Sequence, residues 1–338
     1  MIHPTRHILR PAALLAVLLA IAGCTGHFSS TTATGGVYEL LIVMDTAAWN
    51  GAAGDTTRAY LAQPMPNMPQ ADPTFKLSHV TWAGFTDIVK PVRNILLADI
   101  NPKKYTKTVV GFSKNKWAGP QRVVTIQAPD AAEYAEIMSL YGQRIVDYLV
   151  RSELERQVNV YRSKNYSDEQ TAGAVARKMG VSLAIPKGYR IIKDTTNLIW
   201  LTDARSSVRR DLIVYATPER DATPLTLNTL IQRRDSVMSQ TVTDQTNGYM
   251  STECIYDRPT HAVVMNMDSV RCDELRGLWK MNGGLAMGGP FVSHTILDTI
   301  QHRHITVEGF VYAPGKDKRT PIRQLEAIAS SMRLVQRQ

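Results

Sequence analysis

Four side chains of metal-ligating type lie close together near the carboxyl end of the chain: His294, Asp298, His302 and His304. Imidazole nitrogens and carboxylate oxygens are common zinc ligands. His302 and His304 would point to the same face of a strand, because side chains alternate along it. A zinc site needs three or four convergent ligands, whereas this pattern is more typical of an exposed hairpin. The sequence therefore predicts no metal site and no cofactor.

Other motifs with chemical potential are incomplete. Residues 283–290 are glycine-rich like a phosphate loop, but Gly289 and Pro290 stand where lysine and serine or threonine are needed. Asp45 follows a predicted strand, a common place for a catalytic aspartate, yet it lacks a second aspartate, which favours a turn or helix cap. The Gly-x-Ser-x-Gly motif of serine hydrolases is absent. The sequence assigns no catalytic residue.

The amino-terminal segment predicts covalent lipidation. Arg6 and Arg10 precede an apolar run over 11–22, which is shorter than the ~20 residues of a membrane span. The run ends in Ile-Ala-Gly-Cys at Cys24, and this resembles the lipobox of bacterial lipoproteins, in which the thiol receives a diacylglyceryl group before cleavage. An ordinary cleaved signal is the alternative. We expect a lipoprotein signal peptide over 1–23 and a palmitate-type lipid anchor on Cys24.

The residues after the anchor and the overall charge indicate location and partners. Residues 24–36 are small and polar and predict a flexible tether. No acidic residue follows Cys24 closely, which favours the outer membrane, facing the periplasm. The net charge of +9 is spread along the chain rather than clustered, which disfavours nucleic-acid binding. We expect a membrane partner through the anchor and an unidentified envelope ligand or protein.

The two remaining cysteines are predicted to form a disulfide. Cys254 and Cys272 make an even number in an oxidising compartment. Pro259 and a polar turn lie between them, so a hairpin could bring the thiols together. Two buried free thiols are the alternative.

The strongest secondary-structure signal is a helix that begins after Asp130. Asp130 and Glu133 form a capping-box pattern, and apolar residues follow at helical spacing to Leu149 and beyond. Short strands precede and follow this helix, and later helices begin near Ser167 and Thr320. The pattern predicts an α+β fold with two related lobes, 37–163 and 164–338, each an antiparallel sheet with helices packed on one face.

The order of motifs in the two lobes predicts an internal duplication. Residues 93–97 are echoed by 210–215, 117–121 by 287–291, and 123–126 by 305–312. Turn and loop residues common to all α+β folds are the alternative explanation. The candidate ligand-binding residues are those at the matching corners: Arg93, Asn94, Trp117, Gln121, Arg210 and Asp211. Two converging arginines would clamp a carboxylate or phosphate. Buried structural corners would give the same pattern.

These motifs together resemble a family of Bacteroidota envelope lipoproteins, domain of unknown function 4837. The resemblance rests on the lipobox and on residues 93–96, 117–121, 277–279, 287–291 and 309–318. It extends over essentially the whole chain after the signal peptide and implies a lipoprotein of a Gram-negative envelope. It implies no activity, cofactor or catalytic residue.

Two functions are therefore open. A non-enzymatic binding or scaffold module is favoured, because no catalytic constellation is present. The alternative is an envelope hydrolase acting on a cell-wall, glycan or peptide substrate through carboxylates that the sequence does not reveal. A cluster of Asp45, Asp298 or Glu308 in one cleft would favour the hydrolase.

Overall fold

The computed structural model describes residues 31–205, 207–219 and 224–335, so the predicted signal peptide and Cys24 lie outside the described residues. The first lobe contains, in chain order, β1 (Glu39–Val43), α1 (Thr46–Trp49), α2 (Ala52–Leu61), β2 (Lys76–Val80), β3 (Asn94–Ile100), β4 (Val109–Lys114), β5 (Arg122–Ala128) and α3 (Ala131–Arg162). The second lobe contains α4 (Glu169–Met179), β6 (Val181–Ser182), β7 (Arg190–Thr195), β8 (Leu198–Asp203), β9 (Arg209–Pro218), α5 (Leu227–Thr241), β10 (Tyr249–Thr252), β11 (Thr260–Met265), β12 (Arg271–Asn282), β13 (Gly288–Asp298), β14 (Arg303–Tyr312), α6 (Arg319–Ser330) and β15 (Arg333–Leu334).

The first lobe is built on a five-stranded sheet with the order β2-β1-β3-β5-β4. The pairs β1–β2, β1–β3 and β3–β5 are parallel, and β4 pairs antiparallel with β5. Side chains of β1 are buried on both faces of the sheet, with Leu40 and Ile42 in one cluster and Leu41 and Val43 in another, as is usual for parallel strands. The predicted α+β class is confirmed, but this sheet is mixed rather than antiparallel.

Helices cover one face of the first sheet, as predicted. Tyr134, Met138 and Ile145 of α3 pack with the strands and α2 in one buried cluster. The opposite face is covered by irregular chain, whose aromatic side chains Phe85 and Trp117 pack against the strands. Each fully buried side chain of the α3 cluster stabilises the fold by roughly 1.5–3 kcal/mol.

The second lobe is built on an eight-stranded sheet, and its pairings are all antiparallel. Along β9, Leu212 and Val214 face one core and Ile213 and Tyr215 face the other. Helices α4 and α6 contribute to the first core and α5 to the second. The sheet of this lobe therefore has helices on both faces rather than on one, because its strands are apolar on both sides.

Helix α3 joins the two lobes. Its cap is as predicted: Asp130 accepts hydrogen bonds from the amides of Ala132 and Glu133, although the Glu133 carboxylate accepts from Thr108 instead of closing the capping box. The last part of the helix, with Leu154 and Val158, enters the core of the second lobe, and the helix packs against α6. Among the described residues, no helix is apolar over a length that would cross a bilayer.

The strand directions count against the predicted duplication. The proposed copies pair β3 with β5 in the first lobe and β9 with β14 in the second. The first pair is parallel and the second antiparallel. Two copies of one unit would keep the same relative direction, because that direction is set by the connection between the strands.

Candidate functional site

A cavity of about 420 Å³ lies where the amino ends of β3 and β5 meet the last turns of α3. Its walls come from the segment before β1, the two strand starts, the helix and the turn that follows it. The lining residues are Ala33, Arg93, Pro120, Arg156, Asn159, Val160, Ser163 and Tyr166. One of the predicted ligand-binding residues, Arg93, is among them.

Two arginines line this cavity and share one carboxylate. Arg93 Nη2 lies 3.0 Å from Glu153 Oε2, and Arg156 Nη1 donates to Glu153 Oε1 at 2.6 Å. The side chain of Glu153 is 1% exposed, so water does not compete for it. Two guanidiniums against one carboxylate leave this group of side chains with one excess positive charge.

Asn94 fixes the arginines but is not open to a ligand. Its Nδ2 donates to Glu153 at 2.6 Å and to the Glu39 carbonyl at 3.0 Å, and its Oδ1 accepts from Arg156 at 3.0 Å. The residue is fully buried. Asn94 is therefore a positioning residue, because its amide is already satisfied on both sides.

The arginines retain unused donors. The Nε atoms of Arg93 and Arg156 are buried and have no hydrogen-bond partner. Burial lowers the pKa of Arg156 to about 10, although Glu153 acts in the opposite direction. The side chain therefore stays protonated at neutral pH, and an anion beside it would restore part of the solvation that burial removes.

The chain before β1 forms one wall of the cavity. The Ala33 amide donates to the Gly119 carbonyl, and the Thr34 amide donates to the Pro91 carbonyl, both at 2.9 Å. The Arg93 amide in turn donates to the Thr34 carbonyl at 2.9 Å. The tether predicted for 24–36 is thus bound to the first lobe from residue 31 onward, since backbone hydrogen bonds on both sides hold it.

Gln121 and Trp117 form a structural corner behind the cavity. Gln121 Nε2 donates to the carbonyls of Lys90 and Val92, and Oε1 accepts from the Trp117 amide. The Trp117 ring lies edge-on to Phe85, with centroids 5.3 Å apart. These contacts occupy the amide of Gln121, which is fully buried. Both residues support the wall that holds Pro120.

Arg210 and Asp211 are placed away from this cavity. Arg210 donates to Asp203 and to Gln324, each at 2.5 Å. Asp211 is buried, which raises its pKa, and it accepts from the Trp200 indole at 2.8 Å. Neither residue lines the cavity, and the predicted clamp between the two lobes is wrong because Arg93 and Arg210 each pair with an acid of their own lobe.

Arg156 lines the cavity but is not among the predicted ligand-binding residues. It lies three residues after Glu153 and seven after Leu149 on α3, so all three share the buried side of the helix. Charged residues on an apolar helix face are rarely buried unless they are paired. That interruption of the apolar pattern was the signal that could have identified the site.

Cys254 and Cys272 are free, so the predicted disulfide is wrong. Cys272 lies in β12 and is buried, whereas Cys254 is exposed just beyond β10. Cys254 lies next to Leu278, because the amide of the preceding residue, Glu253, donates to the Leu278 carbonyl. Leu278 is in turn six residues of extended strand from Cys272, which is roughly 20 Å. A disulfide requires Cα atoms within about 7 Å.

The candidate metal ligands do not converge. His294 bonds Glu274, His304 bonds Arg233, and Asp298 pairs with Arg303. The described part of the chain contains no group of three or more histidine, cysteine, aspartate or glutamate residues placed to hold a metal ion.

The candidate hydrolytic acids are also separated. Glu308 is fully buried and pairs with Arg234, while Asp45 is exposed before α1 in the other lobe. Asp298 and Glu308 are five positions apart in the β13–β14 register, since Asp298 faces Arg303. That spacing corresponds to roughly 17 Å along the strand.

No curated protein matches the chain in sequence. The similar solved structures include a point mutant of the protein Mog1, at 10% identity and a TM-score of 0.31 over 46% of this chain and 91% of that one. They also include the Saccharomyces cerevisiae Ran-binding protein Mog1p, at 9% identity and a TM-score of 0.32, over 46% of this chain and 90% of that one. A third similar structure is the human StarD13 lipid transfer and protein localization domain, at 11% identity and a TM-score of 0.18, over 44% of this chain and 90% of that one. Scores this low assign neither fold nor function.

Family models match both lobes. Residues 33–162 match the model described as Domain of unknown function (DUF8532), and residues 167–331 match Domain of unknown function (DUF4837). The expected resemblance to domain of unknown function 4837 is therefore found in the second lobe alone and not over the whole chain after the signal peptide. The first lobe matches a different model. By sequence, the chain consists of two domains of unknown function that meet just after α3.

Proposed function

We propose that the protein is a lipid-anchored envelope module that binds a small anionic ligand without transforming it. The observation that carries this proposal is the placement of Arg93 and Arg156 on one cavity with a single carboxylate, Glu153, between them. An anion there would neutralise the excess positive charge of the buried group.

The geometry of the site supports a carboxylate or phosphate ligand. Guanidinium groups are planar donors that match both anions, and hydrogen bonds between ionised partners are stronger than neutral ones. The volume of about 420 Å³ lies within the range of roughly 300–1,000 Å³ that small-molecule sites occupy. Arg93 is 18% exposed at its side chain, so a ligand can reach it from solvent.

The lining favours binding over catalysis. The Ser163 hydroxyl donates to the Val160 carbonyl at 2.7 Å, so its proton is not directed at a general base. The described lining residues include no histidine, cysteine, aspartate or glutamate, and Glu153 behind them is fully engaged by Arg93, Asn94 and Arg156. An envelope hydrolase, the second candidate, would need acids that lie elsewhere.

The envelope location rests on the amino-terminal sequence. The apolar run over 11–22 followed by Cys24 supports a lipid anchor, and the absence of an early acidic residue supports the outer membrane, facing the periplasm. The resemblance to Bacteroidota lipoproteins supports the same location.

Anion binding is tested on the full chain in non-ionic detergent, by thermal unfolding with increasing inorganic phosphate or acetate. A ligand that binds only the folded state raises the melting temperature with its concentration. We expect Arg93→Gln to weaken this effect about 10-fold or more. Arg144→Gln, at an exposed position of α3, should leave it unchanged. An equal response of wild type and Arg93→Gln would refute the proposal.

A further inference from the structure

We infer that the anion is the phosphate-bearing headgroup of an acidic lipid in the membrane that holds the anchor. This inference rests on the proposed function, because it assigns a ligand class to the Arg93–Arg156 cavity. Three features of the cavity carry it: its distance along the chain from the anchor, the character of its rim, and the charge beside it.

The cavity is close to the anchor along the chain. Ala33 lines the cavity and is nine residues after Cys24. Nine residues span at most about 32 Å even when fully extended. The hydrogen bonds of residues 33 and 34 to the first lobe fix the end of this distance on the cavity wall. The arginines are therefore held close to the lipid surface, where acidic headgroups concentrate negative charge.

The rim of the cavity is apolar and aromatic, whereas the arginines at its bottom are positively charged. Val160 is 41% exposed and Tyr166 is 57% exposed, and both line the cavity. Tyrosine is enriched where membrane meets water, since its ring is apolar and its hydroxyl is polar. A lipid presents a phosphate with a glycerol and acyl chains beside it, which fits the guanidiniums of Arg93 and Arg156 below an apolar rim. A free phosphate would contact only the arginines at the bottom of the cavity.

Exposed basic and apolar side chains lie close in sequence to the residues that bind the amino-terminal segment. Lys114 and Lys116 are exposed, and Lys116 is three residues before Gly119, which accepts from the Ala33 amide. Ile88 is 86% exposed, three residues before Pro91, which accepts from the Thr34 amide. Lysines near a surface attract acidic lipids, and an exposed aliphatic side chain can enter the headgroup layer.

The test compares three probes on the full chain in non-ionic detergent: short-chain phosphatidylglycerol, short-chain phosphatidylcholine and inorganic phosphate. Calorimetric titration should show phosphatidylglycerol binding about 10-fold or more tightly than phosphate and than phosphatidylcholine. Tyr166→Ser should weaken phosphatidylglycerol binding but not phosphate binding. Tyr141→Ser, at an exposed tyrosine of α3, should change neither.

A second variant blocks the cavity without removing charge. Ala33→Phe should weaken both anionic probes, and its folding is checked by circular dichroism. If phosphate binds wild type as tightly as phosphatidylglycerol and Tyr166→Ser changes neither, the lipid inference is overturned while the anion site stands. If neither anionic probe binds, the anion site and the lipid inference both fail.

Discussion

Arg234 of α5 and Glu308 of β14 form an ion pair that solvent does not reach. Arg234 Nη2 donates to Glu308 Oε1 at 2.8 Å, and Nε donates to both carboxylate oxygens at 3.0 Å. The same guanidinium lies 3.8 Å from the ring centroid of Phe291. The pair fixes the helix on its face of the sheet, because Glu308 is the fully buried carboxylate that contacts this guanidinium most closely.

Glu308→Leu should lower the free energy of unfolding by about 3–5 kcal/mol, since it removes the fully buried carboxylate and leaves the guanidinium only its longer contact with Asp235, at 3.3 Å. The double variant Arg234→Met/Glu308→Leu should lose less than the sum of the two single variants, because it removes both charges together. Urea unfolding measures each value. A loss below about 1 kcal/mol for Glu308→Leu would show that the guanidinium finds another partner.

The free thiols should differ in reactivity. Cys254 is exposed, and Cys272 is buried with its pKa raised to about 12 by that burial. Because the thiolate is the reactive form, a maleimide should label only Cys254 in the native protein and both cysteines in urea. Peptide mapping by mass spectrometry identifies the labelled residue. Recovery of a peptide pair linked through both cysteines before reduction would contradict the structure.

Asp244 should contribute stability that acid removes. It accepts four hydrogen bonds, from the Thr246 amide and hydroxyl and from the amides of Gly248 and Leu285. Chiefly through the Thr246 hydroxyl, these lower its pKa from 3.8 to about 2. A folded-state pKa below the unfolded value gives stability that is present above the unfolded pKa and lost as pH falls through the folded one.

The corresponding variant is Asp244→Asn. Its melting temperature should lie below that of wild type at about pH 6, and the gap should close between about pH 4 and pH 2. Thermal unfolding followed by circular dichroism gives the gap at each pH. A gap that stays constant over this range would mean that the carboxylate charge is not what stabilises the turn.

Lipidation should depend on Cys24 alone. Cys24→Ala should abolish incorporation of labelled palmitate and release the protein from membranes or block its processing. The fold should not change, because Cys24 precedes both lobes in the chain. Cell fractionation and metabolic labelling make the measurement, with Cys254→Ala as the matched control that keeps the anchor. Unchanged membrane association of Cys24→Ala would contradict the anchor.

Local features of the fold could be predicted from the sequence, and distant pairings could not. The cap at Asp130 and the apolar spacing after it predict α3, because both signals lie within a few residues. Likewise, the helix predicted to begin near Ser167 is α4, which begins after Asp168 and ends at Gly180 in the left-handed conformation. The parallel pairing of β1 with β3 brings together segments more than fifty residues apart, and no local pattern states its direction.

The candidate site shows the same division. The repeated motifs predicted Arg93 as a ligand-binding residue, and Arg93 does line the cavity. Its partner was predicted from an assumed symmetry and is instead Arg156, because α3 crosses the start of β3 and brings Glu153 against Asn94. That contact joins residues 59 positions apart, and it depends on how the helix packs rather than on either sequence motif.

The position of α3 has a consequence for how such chains evolve. The two family models divide the chain after residue 162, which assigns the whole helix to the first domain. Yet Leu154 and Val158 complete the core of the second domain. A recombination at this boundary would place α3 of an unrelated first domain against the core of the second domain, whose side chains pack around Leu154 and Val158. We therefore expect the two families to be inherited together, and their contact residues on α3 and α6 to covary.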